Sequence, residues 1–294
     1  MNSRIYVGTI VLAAAVVWCT QPGFAVAPST LDQAQWIPQS VISVLAAGED
    51  GLERVASLCA EAEEPARRDA LLAAGALLPA QGTQLMAPVR RPGLILLTES
   101  VVAAAEEPLP VATIKSPHTA CGPGQAIRAP WPETRGIRVV VQLGVVLGSP
   151  LHRASDAEAG EAIAAYTLLM DFSLPGPEDR SNAAWRLYVD SKQFPGACPM
   201  GPALVTSDAL RDRDSLALQL DINGVAGTAF DLPLAELPSL LARLSSRYGF
   251  GPGDVIGFGA GAGQNDTRPL RDGDRLLARL GSELALPAQL FFAA

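Results

Sequence analysis

Two ionisable residues define the chemistry to look for. Asp171 closes an apolar run, Tyr166-Thr-Leu-Leu-Met-Asp171, and Lys192 follows ahead of Pro199-Met-Gly-Pro202, a stretch whose composition predicts a turn. A carboxylate and an ammonium group brought together can move a proton and steady a developing anion. Each also has a plainer reading. A carboxylate at a strand end is ordinarily a solvated cap, a lysine before a turn is ordinarily a surface charge, and the two together can be an ion pair that only holds the fold.

Other chemistries find little support. Cys19, Cys59, Cys121 and Cys198 lie far apart without a C-x-x-C pair, so they read as reduced thiols and not as a zinc or redox site. Cys198 reads as a small buried residue, because neither His118 nor His152 is placed to activate it. Of these two histidines, His118 lies beside the expected pocket strand and His152 in a surface loop. The glycine-rich run Gly257–Gly263 lacks the G-x-G-x-x-G spacing and leads into Gln-Asn-Asp-Thr-Arg-Pro instead of a helix, so no nucleotide cofactor is expected. No G-x-S-x-G is present, which removes the signature of a serine hydrolase.

The 294 residues, 49% of them hydrophobic and with 27 Gly and 24 Pro, suit one large or two modest globular domains. The net charge of −8 and the lack of a dense Lys/Arg cluster argue against nucleic acid as a partner. The N-terminus has two readings. Ile5–Trp18 is apolar after Arg4 and too short to span a bilayer, and Ala25-Val26-Ala27 has the small-x-small form of a cleavage site, so residues 1–27 fit a signal peptide of an exported protein. The same residues also fit two buried strands, Arg4–Val11 and Ala15–Trp18, of a cytoplasmic protein without a membrane partner.

The positioning elements follow from periodicity. Three helices are expected over 40–48, 51–63 and 65–78, with Ser40 as cap and Pro65 in a first turn. After a linker at 79–84 the texture turns to short strands: Leu94–Leu97, Val111–Ile114, Ile137–Gly148 as a strand pair or one bent strand, Ala164–Phe172, Asp254–Phe258, Arg275–Leu280 and Glu283–Leu286. Asn223-Gly224 predicts a hairpin between Ser215–Ile222 and Val225–Phe230. Short helices are expected at Ser100–Glu107 and Asp156–Ile163, and an amphipathic one at Leu234–Tyr248. The fold class is α+β, with a partly helical N-terminal domain over 1–84 and a β-rich domain over 85–294.

The ordered series Met86-Ala-Pro-Val-Arg-Arg-Pro-Gly, Ile114-Lys-Ser-Pro117, Gly122-Pro-Gly124, Val140-Val-Gln-Leu-Gly-Val-Val-Leu-Gly148, Tyr166–Asp171, Lys192-Gln-Phe194, Pro199–Pro202, Ile222-Asn-Gly224, Gly253-Asp-Val-Ile256 and Leu270-Arg-Asp-Gly-Asp274 resembles the fumarylacetoacetate hydrolase superfamily over roughly residues 85–286. The resemblance implies a mixed β-roll domain, a homodimer, and a hydrolase or C–C lyase acting on an oxo acid or 1,3-dicarbonyl compound by cleavage, decarboxylation or a related enolate reaction. It implies a Mg²⁺ or Mn²⁺ ion held by three carboxylates, since hard dications prefer oxygen anions and can steady an enolate.

Carried over residue by residue, that pattern is only partly met. Val140 and Gln142 stand where the family has two glutamate ligands, and Asp171 matches the third. Lys192 matches the family's lysine. Leu174-Pro175-Gly176 stands where an arginine is usual, Ala104 where a histidine is, and Ala260 in a loop that usually carries a threonine. Three anionic ligands thus become one, a poor match to Mg²⁺. Glu133 is available as a substitute ligand, its plainer reading being a solvated loop acid. The expected catalytic residues are Asp171 and Lys192, with Asp171 moving a proton and standing as the only metal ligand. The expected substrate contacts are Lys115, Gln142, Phe194, Met200 and Ala260. Two functions remain open: an enzyme with an altered or metal-independent site, or a family member that has lost catalysis and binds a partner.

Overall fold

The run from Ile137 to Gly148 is β-branched and apolar on both faces, and it forms one continuous strand, Arg138–Leu147, instead of a pair. It lies at the middle of the architecture shown by the computed structural model, which describes residues 6–7, 40–74, 84–98, 111–175, 183–259 and 268–293. The strands in order are β1 (Tyr6–Val7), β2 (Ile95–Thr98), β3 (Ala112–Lys115), β4 (Ala120–Cys121), β5 (Ala126–Ala129), β6 (Arg138–Leu147), β7 (Ile163–Ser173), β8 (Cys198–Thr206), β9 (Ser215–Ile222), β10 (Val225–Ala226), β11 (Phe230–Pro233), β12 (Val255–Gly259), β13 (Arg275–Leu280) and β14 (Leu284–Phe292). The helices are α1 (Val41–Ala46), α2 (Gly48–Glu63), α3 (Pro65–Ala73), α4 (Asp156–Ala162), α5 (Ala183–Ser191) and α6 (Leu237–Ser245).

Among the described residues these strands make two mixed sheets. The first runs β1-β8-β7-β6-β12-β2-β3, with β4 also paired to β8; the second runs β10-β9-β13-β14-β5, with β11 on β9. The first sheet is curled. β3 is its edge strand, yet β4, a few residues later, pairs with β8 near the opposite edge. This is the α+β, mixed β-roll expected from the sequence.

Alternation along β6 and β7 divides the protein into two interiors. Val139, Val141, Leu143 and Val145 of β6, with Leu168, Met170 and Phe172 of β7, face the second sheet and join the larger core, together with Leu218, Ala278 and Leu286. Val146, Ala165, Leu169, Met200, Ile95 and Leu97 point the other way, into a smaller core that Leu45 of α1 helps to close. Helix α1 starts where expected, with Ser40 Oγ accepting the Ser43 N–H at 3.1 Å. The hairpin at Asn223-Gly224 also forms, both residues having positive φ (53° and 81°), as a type I′ turn needs.

One expectation is corrected and one open alternative is closed. Pro199–Pro202 is not a turn: it lies inside β8, where Met200 and Gly201 pair with Leu169 and Leu168, and the Gly201–Pro202 peptide is cis. Its composition reads as a turn, but burial on both faces makes it a strand. Lys192 therefore follows helix α5, which the sequence reading did not foresee. Glu133 sits in an exposed 3-10 turn and accepts the Asp272 N–H at 3.2 Å, so it is the solvated loop acid. At the N-terminus Tyr6 and Val7 pair with Val205 and Leu204, a short strand on the sheet edge. The cleavage-like Ala25-Val26-Ala27, the second strand at Ala15–Trp18 and the Ser100–Glu107 helix lie outside the described residues. No helix among the described residues is long and apolar enough to cross a membrane.

Candidate active site

Asp171 lies near the end of β7 on the smaller-core face, directly opposite Val140 of β6. It is almost wholly buried, and two lysines reach it. Lys115, at the end of β3, donates to Oδ1; Lys192, just past α5, donates to Oδ2. The Lys115 side chain is 0% exposed and that of Lys192 4%. Lys115 Nζ also donates to the backbone carbonyls of Ala197 (2.8 Å) and Phe172 (3.3 Å). Three acceptors around Nζ match the three N–H bonds of the charged ammonium. Lys192 Nζ lies 4.5 Å from the centre of the Tyr188 ring, a cation–π contact with the preceding helix.

The curl of the sheet makes this meeting possible. β3 is four positions from β7 in strand order, so in a flat sheet Lys115 would stand roughly 19 Å from Asp171. Three consecutive residues at the end of α5 then fix the geometry. Ser191 Oγ accepts the Leu174 N–H (2.9 Å) and donates to Tyr188 O (2.6 Å), tying the helix end to the end of β7. Lys192 takes Asp171. Gln193 brackets Lys115, its Oε1 accepting the Ser116 N–H (2.8 Å) and its Nε2 donating to Ile114 O (3.0 Å). The sequence reading missed Gln193; its only signal was its place beside Lys192.

Burial alone would push the Asp171 carboxyl upward, but the two ammonium groups outweigh it and hold its pKa below the usual carboxylate range. Burial lowers Lys115 below the ordinary lysine range despite Asp171. For Lys192 the attraction of Asp171 overcomes burial, and its pKa is raised. Cys198, on β8, stays a neutral thiol, since burial pushes it up to about 11 against the pull of the lysines. Two lysines thus share one carboxylate, and with both protonated the cluster carries one positive charge in excess.

The other expected site residues divide. Met200 is buried on the same face, beside Leu169. Gln142 is also on this face and 3% exposed, but it turns toward β2: its Nε2 donates to Thr98 O at 3.0 Å. Its Oε1 has no partner and lies against Gly257, where an added Cβ would come within 2.2 Å of it. Phe194 faces the larger core, edge-on to Trp131 with ring centres 5.6 Å apart, so it is packing on the other side of the sheet. His118 and His152 are exposed. Ala104 and Ala260 lie outside the described residues.

Known proteins give this geometry a family. The profile of the fumarylacetoacetate (FAA) hydrolase C-terminal family matches residues 93–286. The chain belongs to the fumarylacetoacetate hydrolase family. The oxaloacetate tautomerase YisK of Bacillus subtilis is 24% identical over 267 residues, 85% of this chain and 86% of that protein. The mitochondrial oxaloacetate tautomerase Fahd2a of Rattus norvegicus is 26% identical over 263 residues, 84% and 78% of the two chains. In fold, the maleylpyruvate hydrolase of Sphingobium sp. SYK-6, solved with manganese(II) and pyruvate, matches with a TM-score of 0.69 at 20% identity, over 100% of both chains.

The family's dication does not fit the residues found here. Of the three positions expected to hold it, only Asp171 is a carboxylate, and both its oxygens are engaged by the two lysines. Val140 offers no donor atom, and the Gln142 amide is held by Thr98. Among the described residues no three His, Cys, Asp or Glu side chains come together.

Proposed function

We propose that this protein is an enzyme that interconverts the keto and enol forms of a small oxo acid, with the enolate as the stabilised species. The observation that carries the reading is the surplus positive charge of the Lys115–Asp171–Lys192 cluster. A buried, uncompensated cation is costly, and an anionic ligand relieves it. Oxaloacetate and other small 1,3-dicarbonyl acids supply both a carboxylate and an enolate oxygen. Two relatives matched over most of their length are oxaloacetate tautomerases.

The roles follow from the geometry. Lys192 donates to the substrate oxygen on which negative charge develops, where a preoriented cation is worth most. Asp171, expected from the sequence to move a proton, instead holds Lys192 in place, because both its oxygens are occupied and it stays ionised. Lys115, with three acceptors of its own, contributes charge and not a direct contact. Keto–enol interconversion takes a proton from the enol oxygen and returns one to carbon. With both Asp171 oxygens engaged and the two histidines exposed, solvent water takes and returns that proton while Lys192 steadies the enolate formed between the two transfers.

The test is the decay of enol oxaloacetate, followed by its ultraviolet absorbance, with and without the protein. Lys192→Met is expected to lower kcat/KM by about 10²–10³-fold, the loss seen when one preorganised donor is removed from a charged transition state. Its thermal unfolding should remain cooperative. No acceleration over buffer by the unaltered protein, on oxaloacetate or on acylpyruvates, removes the reading and leaves a binding protein on an enzyme fold.

A further inference from the structure

We propose that Tyr188 is a positioning residue for Lys192: its ring holds the ammonium group in place without neutralising it, so that the charge stays available to an anionic ligand. Nζ of Lys192 lies 4.5 Å from the centre of that ring. Trp185, three residues earlier on the same face of α5, supports the ring, with centres 5.1 Å apart and planes tilted by 41°. Tyr188 lies one turn before Lys192, and Ser191 Oγ closes the helix end between them by donating to the Tyr188 carbonyl at 2.6 Å. Ring and ammonium are thus presented together at the end of α5, where Nζ also donates to Asp171 Oδ2.

A ring suits this task better than a second anion. Another carboxylate would also steady a buried ammonium group, but it would cancel the charge that the ligand is to meet. An aromatic face attracts a cation through its quadrupole and carries no net charge. Burial works against the charged form of Lys192; Asp171 and then Tyr188 overcome it. Nζ has three N–H bonds. One goes to Asp171 and the ring borders a second direction, which leaves a third for the ligand. Lys115, by contrast, gives all three to oxygen atoms. A cation held ready in this way needs no rearrangement as negative charge develops, so its loss falls on kcat more than on KM. The proposal rests on the enolate reading for the nature of the ligand and not for the contact itself.

The experiment compares Tyr188→Leu, which keeps apolar bulk without a ring, with Tyr188→Phe, which keeps the ring. The first readout is the Lys192 ammonium resonance of the full chain with isotope-labelled lysine, identified by its loss in Lys192→Met. Protons held over a ring face are shielded, so the signal is expected upfield of ordinary lysines in the parent and in Tyr188→Phe, and not in Tyr188→Leu. The second is tautomerisation of enol oxaloacetate. Tyr188→Leu is expected to lose about tenfold in kcat with little change in KM, the scale of a desolvated cation–π contact, and Tyr188→Phe to recover most of that loss. An unshifted Lys192 signal in the parent overturns the proposal, whether or not the variants fold. A folded Tyr188→Leu that turns over like the parent also overturns it, as does a Tyr188→Phe that recovers nothing, which would assign the effect to the hydroxyl. A parent that shows the ring shift and turns over nothing removes the enzymatic reading. Malonate binding by calorimetry then takes the place of turnover, with Tyr188→Leu expected to bind about tenfold more weakly than the parent and Tyr188→Phe to recover most of that affinity. Equal binding by all three chains, or none by the parent, overturns the proposal.

Discussion

Asp171 and Asp274 are both buried carboxylates that meet a basic side chain, and they are served in opposite ways. Asp274 accepts both Nη atoms of Arg268 (2.8 and 3.0 Å), the Arg271 N–H (2.8 Å) and Asn223 Nδ2 (2.7 Å). One carboxylate meets one guanidinium that is 35% exposed, so the knot is neutral, fully bonded and partly in water. Its work is mechanical: it joins the β9–β10 turn to the turn before β13. Asp171 instead meets two buried ammonium groups and leaves charge over. The first arrangement is balanced within itself; the second, under the proposed function, keeps its excess charge for an anionic ligand.

The largest effect that would test this contrast is on stability. Asp171→Ala leaves two buried ammonium groups facing each other and should cost about 3–5 kcal/mol in denaturant unfolding. A cost under about 1 kcal/mol would mean that the lysines find water easily, and the contrast with Asp274 would collapse. Asp274→Ala should cost less, about 1–3 kcal/mol, and leave turnover unchanged.

The same aspartate gives a pH signature. Burial raises the Asp274 pKa, but its bonds to Arg268, the Arg271 N–H and Asn223 outweigh this and hold it below the ordinary range. Its contribution is therefore full above the unfolded carboxylate value of about 3.9 and is lost as pH falls through the lower folded value. Asp274→Asn should flatten the stability curve on that acid limb and nowhere else. An acid limb identical in parent and variant would show that the knot carries no proton linkage.

The smallest expected effect sharpens the picture of Lys115. Gln193→Ala removes the bracket on Ile114 and Ser116 and should cost about 1 kcal/mol. It should also lower kcat more than it raises KM, because the charge above Asp171 loses its support. Equal changes in both would point to loss of simple binding instead.

Much of the fold was legible because its signals are local. The β-branched run of β6, the apolar run that ends at Asp171 and the Asn223-Gly224 turn each carry their own physics in a few residues. β8 was not, because Pro199, Gly201 and Pro202 are turn residues by composition, and only the neighbouring strands show that they are buried in a sheet. Phe194 was misassigned for a related reason: its neighbour Lys192 points to the site, but the bend after α5 sends the ring to the other core. In the site, Asp171 and Lys192 follow from family motifs. That Lys115 and Lys192 share one carboxylate does not, since a strand four positions away reaches it only through the curl of the whole sheet.

That curl makes the ion cluster a check on folding as well as a site. Side chains alternate along β3, with Ile114 53% exposed and Lys115 sealed. A slip of one residue in its pairing with β2 would turn the ammonium out to water and press Ile114 against a carboxylate. The charged contact joins residues 56 apart in sequence, and its native geometry requires the intervening strands to be in their order. A misthreaded sheet would leave Asp171 with a single partner. The roll therefore proofreads its own closure, and a chain that has folded out of register is also a chain without a site.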